Sequence, residues 1–306
     1  MTSTTAVRFR SAGETLVGTL TVPDGDGPFP AALVLPGSGP VDRDSDARQL
    51  RLGITREVAG ALGAAGLVTL RYDKRGVGES TGSFLASGLT DLADDARAAL
   101  AALRARPEVR PDRVLLVGHS EGAIVASMVA AGSDDLTGVA LISASATPGE
   151  ELLRWQAARI APTLPAPVRL LLRLFRTDLV RQVAKNHDRV RATTTDVARL
   201  GGRRINARWH REFMAHDPRT DLARVTAPVL AVTGAKDLQA PPHDLEVIAA
   251  TVAGPVRTVL VDDVSHILRS RPGAPTLATY RKDARRPVDP RVLEAVTSWA
   301  GALVRA

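Results

Sequence analysis

A serine with glycine two residues away on either side, Gly118-His119-Ser120-Glu121-Gly122, lies between an apolar run ending at Val117 and a small-residue stretch reaching Ala131. If the run is a strand and the stretch a helix, this is a sharp strand-to-helix turn that lifts a hydroxyl clear of a sheet edge. In such a turn the residues two before and two after the serine crowd each other and the neighbouring strands, which accounts for Gly118 and Gly122. The turn aims the next N–H, that of Glu121, at the space above the serine, and a helix N-terminus behind it favours developing negative charge. The chemistry implied is attack of the Ser120 hydroxyl on an acyl carbon. A serine before a helix also serves as a plain N-cap, so the motif takes its meaning from what else the chain supplies.

A hydroxyl nucleophile needs a base, an acid to orient the base, and donors for an oxyanion. Of six histidines, His119 precedes the turn, His187, His210 and His216 fall in a strand-poor segment, and His243 follows Pro242 at an expected helix start. His266, in VDDVSHILRS, falls in a loop just after the last expected strand and is the candidate base. Asp237, ending VLAVTGAKD just past another strand, is the candidate acid, in the order serine, acid, histidine that accompanies such a turn. Asp262 and Asp263 compete, but lie too close to His266 along the chain to reach it from beneath. The oxyanion donors are the backbone N–H of Glu121 and one from the loop LPGSGP at 35–40. There Gly37 and Gly39 allow close approach and Ser38 is the best second donor; a plain glycine turn is the alternative.

These residues must be carried on a sheet. Apolar runs bounded by breakers recur at 31–37, 67–73, 113–120, 138–145, 228–237 and 256–263. Continuous rather than alternating runs suit strands covered on both faces. ETLVGTLTVP, ending at Pro23, reads as an earlier antiparallel strand. Helical patterns lie between the runs: residues 55–66 with Gly66 as C-cap, 90–106 opening on Thr90-Asp91, 120–131 and 289–304. The fold class is α/β, a mostly parallel sheet with helices on both faces. From 149 to 224 no strand is evident, and sixteen Lys/Arg stand against eight Asp/Glu. The expectation is a core domain of residues 1–148 and 225–306 with a helical cap inserted at 149–224; an unrelated second domain is the alternative.

Composition narrows the rest. The chain has 306 residues, 44% hydrophobic and 24% charged, ordinary for a globular protein. It has no cysteine, which excludes disulfides and thiolate sites. The start lacks an apolar signal region and no run approaches about 18 apolar residues, so no membrane span and a cytoplasmic location are expected. The net charge of +7 and pI near 10.6 invite a nucleic-acid partner. All but four of the forty basic residues are arginine and aromatics are 3%, which fits coding bias better than base recognition. Asp42-Arg43-Asp44 and Asp73-Lys74-Arg75 lack the carboxylate density of a hard-cation site and read as ion pairs holding the oxyanion loop.

PGSGPVDRD (36–44), LRYDKRGVGES (70–80), GHSEG (118–122), FMAHDP (213–218) and PVLAVTGAKDLQAPP (228–242) together resemble the α/β-hydrolase superfamily. Within it they are similar to bacterial carboxylesterases related to the serine-aminopeptidase-like hydrolases. The resemblance spans essentially the whole chain. It implies Ser120 as nucleophile, Asp237 as acid, His266 as base, and the Ser38 and Glu121 amides as oxyanion hole. The chain departs from the family where Pro36-Gly37 replaces the common His-Gly, and where an acidic Glu121 follows the serine. Its side chain is expected to pair with a base such as Arg75. The expected activity is hydrolysis of a small carboxylic ester through an acyl-enzyme, with no cofactor and no metal. Thioesterase, peptidase and an inactive binding protein are the alternatives, and a homo-oligomer is left open.

Overall fold

The computed structural model describes residues 2–164, 166–174 and 178–305. The chain opens with β1 (Ser3–Ser11) and β2 (Glu14–Val22), paired antiparallel around Ala12-Gly13, followed by β3 (Phe29–Leu35). A small hairpin, β4 (Asp46–Ala47) and β5 (Leu50–Arg51), precedes α1 (Ile54–Ala64). Then come β6 (Val68–Tyr72), α2 (Leu89–Arg104), β7 (Val109–His119), α3 (Glu121–Ala130) and β8 (Gly138–Ile142). Between β8 and the next sheet strand lie α4 (Gly149–Ile160), α5 (Ala166–Leu174), α6 (Leu179–Arg191), a hairpin of β9 (Val197–Leu200) and β10 (Arg203–Asn206), α7 (Ala207–Ala215) and α8 (Pro218–Leu222). The chain closes with β11 (Val229–Gly234), α9 (Asp244–Thr251), β12 (Val256–Val261), α10 (Tyr280–Asp283) and α11 (Pro290–Arg305).

Eight strands form one sheet in the order β1-β2-β6-β3-β7-β8-β11-β12, antiparallel at β1-β2-β6 and parallel from β6 onward. This is the α/β-hydrolase fold. Successive residues of the central strands go to opposite faces, and both faces are buried. Leu33, Leu35, Leu116 and Leu141 pack toward α2 and α3, while Ala32, Val34, Leu115 and Val117 pack toward α1 and α11. That double burial is why those runs are continuously apolar. β12 departs from the expectation: it is an edge strand, with Arg257, Thr258 and Leu260 exposed.

The register aligns the carboxyl ends. Leu35 is level with Gly118, Gly118 with Leu141, Ile142 with Val232, and Gly234 with Val261. The loops that follow these strands therefore share one edge. Strand order reverses at β3, flanked by β6 on one side and β7 on the other, so the loops after β3 and β7 border a crevice where ligands of open α/β sheets bind.

Two local expectations need correction. Residues 149–224 are not purely helical, because β9 and β10 pair around Gly201 and Gly202, both with positive φ. Their strands are short and arginine-bearing, so no apolar run marks them; only the Gly-Gly turn could have. The start of α2 is capped from inside, the Asp91 carboxylate accepting from the Gly88 N–H at 2.9 Å. Among the described residues no helix is long and apolar enough to cross a membrane.

The loop after β6 is fastened by charge. Arg75 donates to both carboxylate oxygens of Asp95 on α2, at 2.7–3.0 Å, and the Asp95 side chain is fully buried. Removing one member of such a pair strands the other. Asp95→Ala is expected to cost about 3–5 kcal/mol in urea unfolding, and Arg75→Met/Asp95→Leu to recover most of that loss.

Candidate active site

Ser120 is the hinge between β7 and α3. Its N–H donates to the Ile142 carbonyl and its carbonyl accepts from Ala123 N–H, both at 2.9 Å. It sits at φ 57°, ψ −119°, strained for a residue with a side chain. A Cβ on Gly118 would stand 2.1 Å from the Gly122 carbonyl oxygen, and one on Gly122 2.4 Å from the Leu35 oxygen. Neither position accepts any residue but glycine.

Loops from three further strands converge on this serine. The Nε2 atom of His266, after β12, lies 2.9 Å from Ser120 Oγ. On the other side of the ring, Nδ1 lies 2.8 and 2.9 Å from the two oxygens of Asp237, in the loop after β11. Asp237 also accepts the Gln239 and Ala240 N–H groups at 2.7 and 2.8 Å. A carboxylate only accepts, so Nδ1 carries the imidazole proton and Nε2 faces the serine as an acceptor. This relay can take the hydroxyl proton as oxygen attacks an electrophilic carbon.

The competing residues stand elsewhere. Asp263 pairs with Lys236, and Asp262 is exposed, its carbonyl accepting from Arg291. His187 faces Glu150, His210 the Asn206 carbonyl, His216 Asp221, and His243 is exposed. His119 is close but serves differently. Its Nε2–H donates to the His266 carbonyl at 2.9 Å, and the two rings are 5.1 Å apart. Burial first, and the neighbouring His266 second, push the His119 pKa down to about 3.

The loop after β3 closes over the serine: a Cβ on Gly37 would lie 3.4 Å from Ser120 Cβ. Ser38 and Glu121 border the same cavity as Ser120, about 80 Å³, whose far wall is Leu152, Leu153 and Gln156 of α4 with Trp209 and Phe213 of α7. A second cavity, about 150 Å³, opens on the other side of Ser120 between Val41, Leu50, Leu52 and Tyr280.

The charged strings are ion pairs. Arg43 makes a two-pronged bond to Asp73 at 2.6 and 3.0 Å, and Arg71 binds Asp44 at 2.7 Å. Burial works against the Asp73 charge, yet the Arg43 guanidinium and the amides of Glu79 and Arg43 hold its carboxyl below the usual range. Glu121 pairs with Lys74, not Arg75, which Asp95 occupies. No described group of three or more His, Cys, Asp or Glu could hold a metal ion.

Supporting residues escaped the sequence reading. Arg269 is 1% exposed and donates to the carbonyls of Ile267, Leu52 and Arg286 and to Glu57, at 2.6–2.9 Å, locking the loop that carries His266. Asp244, at the start of α9, accepts from Ser145 Oγ and the Ala146 and Thr147 N–H groups at 2.6–3.0 Å, fixing the loop after β8. No local pattern distinguishes either residue from surface charge.

A family model described as serine aminopeptidase, S33, matches residues 51–268. The esterase EstD of Thermotoga maritima is 28% identical over 291 residues; the match covers 93% of this chain and 65% of EstD, so the chain spans less than two thirds of that relative. Among solved structures, Est1E of Butyrivibrio proteoclasticus with ferulic acid bound superposes at TM-score 0.68 and 17% identity, covering 98% of this chain and 100% of that one. Proline iminopeptidase of Mycobacterium smegmatis superposes at 0.65 and 17%, covering 98% and 99%. At such identities the structural likeness is one of fold.

His119 has a consequence for pH. Its folded pKa lies below the unfolded value, so the unfolded chain binds the extra proton, and the stability is present above about pH 6.5 and lost as pH falls. Between pH 6 and 4 the wild type is expected to lose about 1.4 kcal/mol per pH unit more than His119→Gln, which keeps a donor toward the His266 carbonyl, in paired urea titrations.

Proposed function

The chain belongs to the serine aminopeptidase S33 family, and from that premise we propose that it hydrolyses small carboxylic esters through an acyl-enzyme on Ser120. The observation that carries this reading is the continuous relay from Asp237 through His266 to Ser120 Oγ, at 2.8 and 2.9 Å. His266 takes the proton as Ser120 attacks the ester carbonyl, and returns it to the leaving alcohol. Water then attacks the acyl carbon as the same imidazole takes its proton, and His266 returns that proton to Ser120 Oγ as the acyl–Oγ bond breaks and the acid is released. Asp237 fixes the tautomer and stabilises the imidazolium. The N–H groups of Ser38 and Glu121 receive the oxyanion. This chemistry calls on no cofactor.

An ester is favoured over a peptide amino terminus by the lining. Among the described residues bordering the two cavities, Glu121 is the sole carboxylate, and Lys74 occupies it. Among those lining residues no anion is left for a substrate ammonium group. The curated relative EstD is an esterase by name, which supports the same choice. Residues 149–224 act here as a cap, since Leu152, Leu153, Gln156, Trp209 and Phe213 wall the cavity above Ser120.

Cavities of about 80 and 150 Å³ are small beside the roughly 300–1,000 Å³ of sites for drug-sized ligands. Turnover of p-nitrophenyl acetate, butyrate and octanoate is therefore expected to give a higher kcat/KM for the two short esters than for octanoate. Ser120→Ala should fall to the buffer rate with all three. Turnover surviving in Ser120→Ala would overturn the reading, and a preference for octanoate would overturn the pocket assignment.

A further inference from the structure

The side chain following the proposed nucleophile is an acid, Glu121, placed where the reaction builds negative charge. Its partner is Lys74, in the loop after β6, and both side chains are about 95% buried. The Lys74 ammonium has three acceptors: Glu121 Oε2 at 2.5 Å, the Gly37 carbonyl at 2.7 Å and the Gly39 carbonyl at 3.4 Å. Three donors thus meet three acceptors drawn from two different segments.

The Gly37 carbonyl belongs to the same peptide unit as the Ser38 N–H. In a trans peptide the two point in opposite directions. Pinning the oxygen on Lys74 therefore sets the direction of the N–H, and a cation on the oxygen polarises that N–H toward a stronger donor. Glu121, in turn, supplies the other donor from its own backbone and grips the same ammonium with its carboxylate. One cation ties the Gly37–Ser38 peptide unit to the residue that supplies the second N–H, and cancels the only acidic charge among the described residues bordering the cavities.

We propose that Lys74 is a positioning residue for the oxyanion hole, holding the Ser38 and Glu121 amides in register through its bonds to the Gly37 carbonyl and the Glu121 carboxylate. This rests on the esterase reading above. A buried ion pair adds little to stability relative to apolar residues of similar size, so a role in stability alone does not explain it.

The test compares wild type, Ser120→Ala, Lys74→Met, Lys74→Arg and the double variant Lys74→Met/Glu121→Gln, each with kcat and KM on p-nitrophenyl acetate and a thermal melt. Lys74→Met leaves a buried carboxylate unpaired and can fail to fold, whereas the double variant carries no unpaired charge. The double variant is expected to melt near wild type, with kcat lower by on the order of 10²-fold and KM within twofold, the loss seen when an oxyanion donor is removed. Lys74→Arg is expected to restore at least part of kcat. A double variant that melts near wild type and keeps kcat within twofold overturns the proposal, as does a loss of activity in proportion to the fraction unfolded. A wild type no faster than Ser120→Ala overturns the esterase reading instead, and this inference with it.

Discussion

The backbone at Ser120 turns from strand to helix in a space that admits no Cβ on either side. The Gly118 Cα faces the Gly122 carbonyl, and Gly122 lies against the carbonyls of Leu35 and Pro36. The turn is thus wedged between its own helix and the end of β3, and the positive φ of Ser120 persists because these contacts leave no alternative path. The same wedge brings the loop after β3 within reach of the serine. Strand register then does the remaining placement, since β3, β7, β8, β11 and β12 end within a few residues of one another. Ser38, Ser120, Asp237 and His266 follow four different strands, yet all stand at one edge.

Charge supplements packing in the loops above the sheet. The loops above the sheet edge bury some apolar side chains, Val264, Ile267 and Leu268 among them, and they are fastened by ions as well. Asp73, Lys74 and Arg75 follow β6 in succession and engage Arg43, Glu121 and Asp95, in the loop after β3, at the start of α3 and within α2. Arg269 does the same for the loop of His266, and Asp244 for the loop after β8. Charged groups with several hydrogen bonds define direction as well as distance, which suits loops that place backbone N–H groups and an imidazole beside Ser120.

The legible parts of the sequence were those whose cause is local. A glycine that must lack a side chain is visible as a glycine, so the turn at 118–122 could be read directly. Strands buried on both faces announce themselves as apolar runs, and chain order singled out Asp237 and His266, which the structure brings together with Ser120. What escaped depends on distant partners. Lys74 and Glu121 are 47 residues apart, and nothing near either indicates that they meet, so the partner of Glu121 was misread as Arg75. Arg269 looks like an ordinary loop cation until its acceptors from Leu52, Glu57 and Arg286 are assembled around it. β1 and the β9-β10 hairpin were missed because their exposed positions carry threonines and arginines, and pairing, not hydrophobicity, defines them.

The proposed function stands on Ser120 attacking the substrate, activated by His266. Its most direct test is covalent labelling with a fluorophosphonate, read by intact mass and peptide mapping. A single adduct is expected, on Ser120, forming much more slowly in His266→Ala and not at all in Ser120→Ala. An adduct on another residue, or equal labelling of wild type and Ser120→Ala, would contradict it.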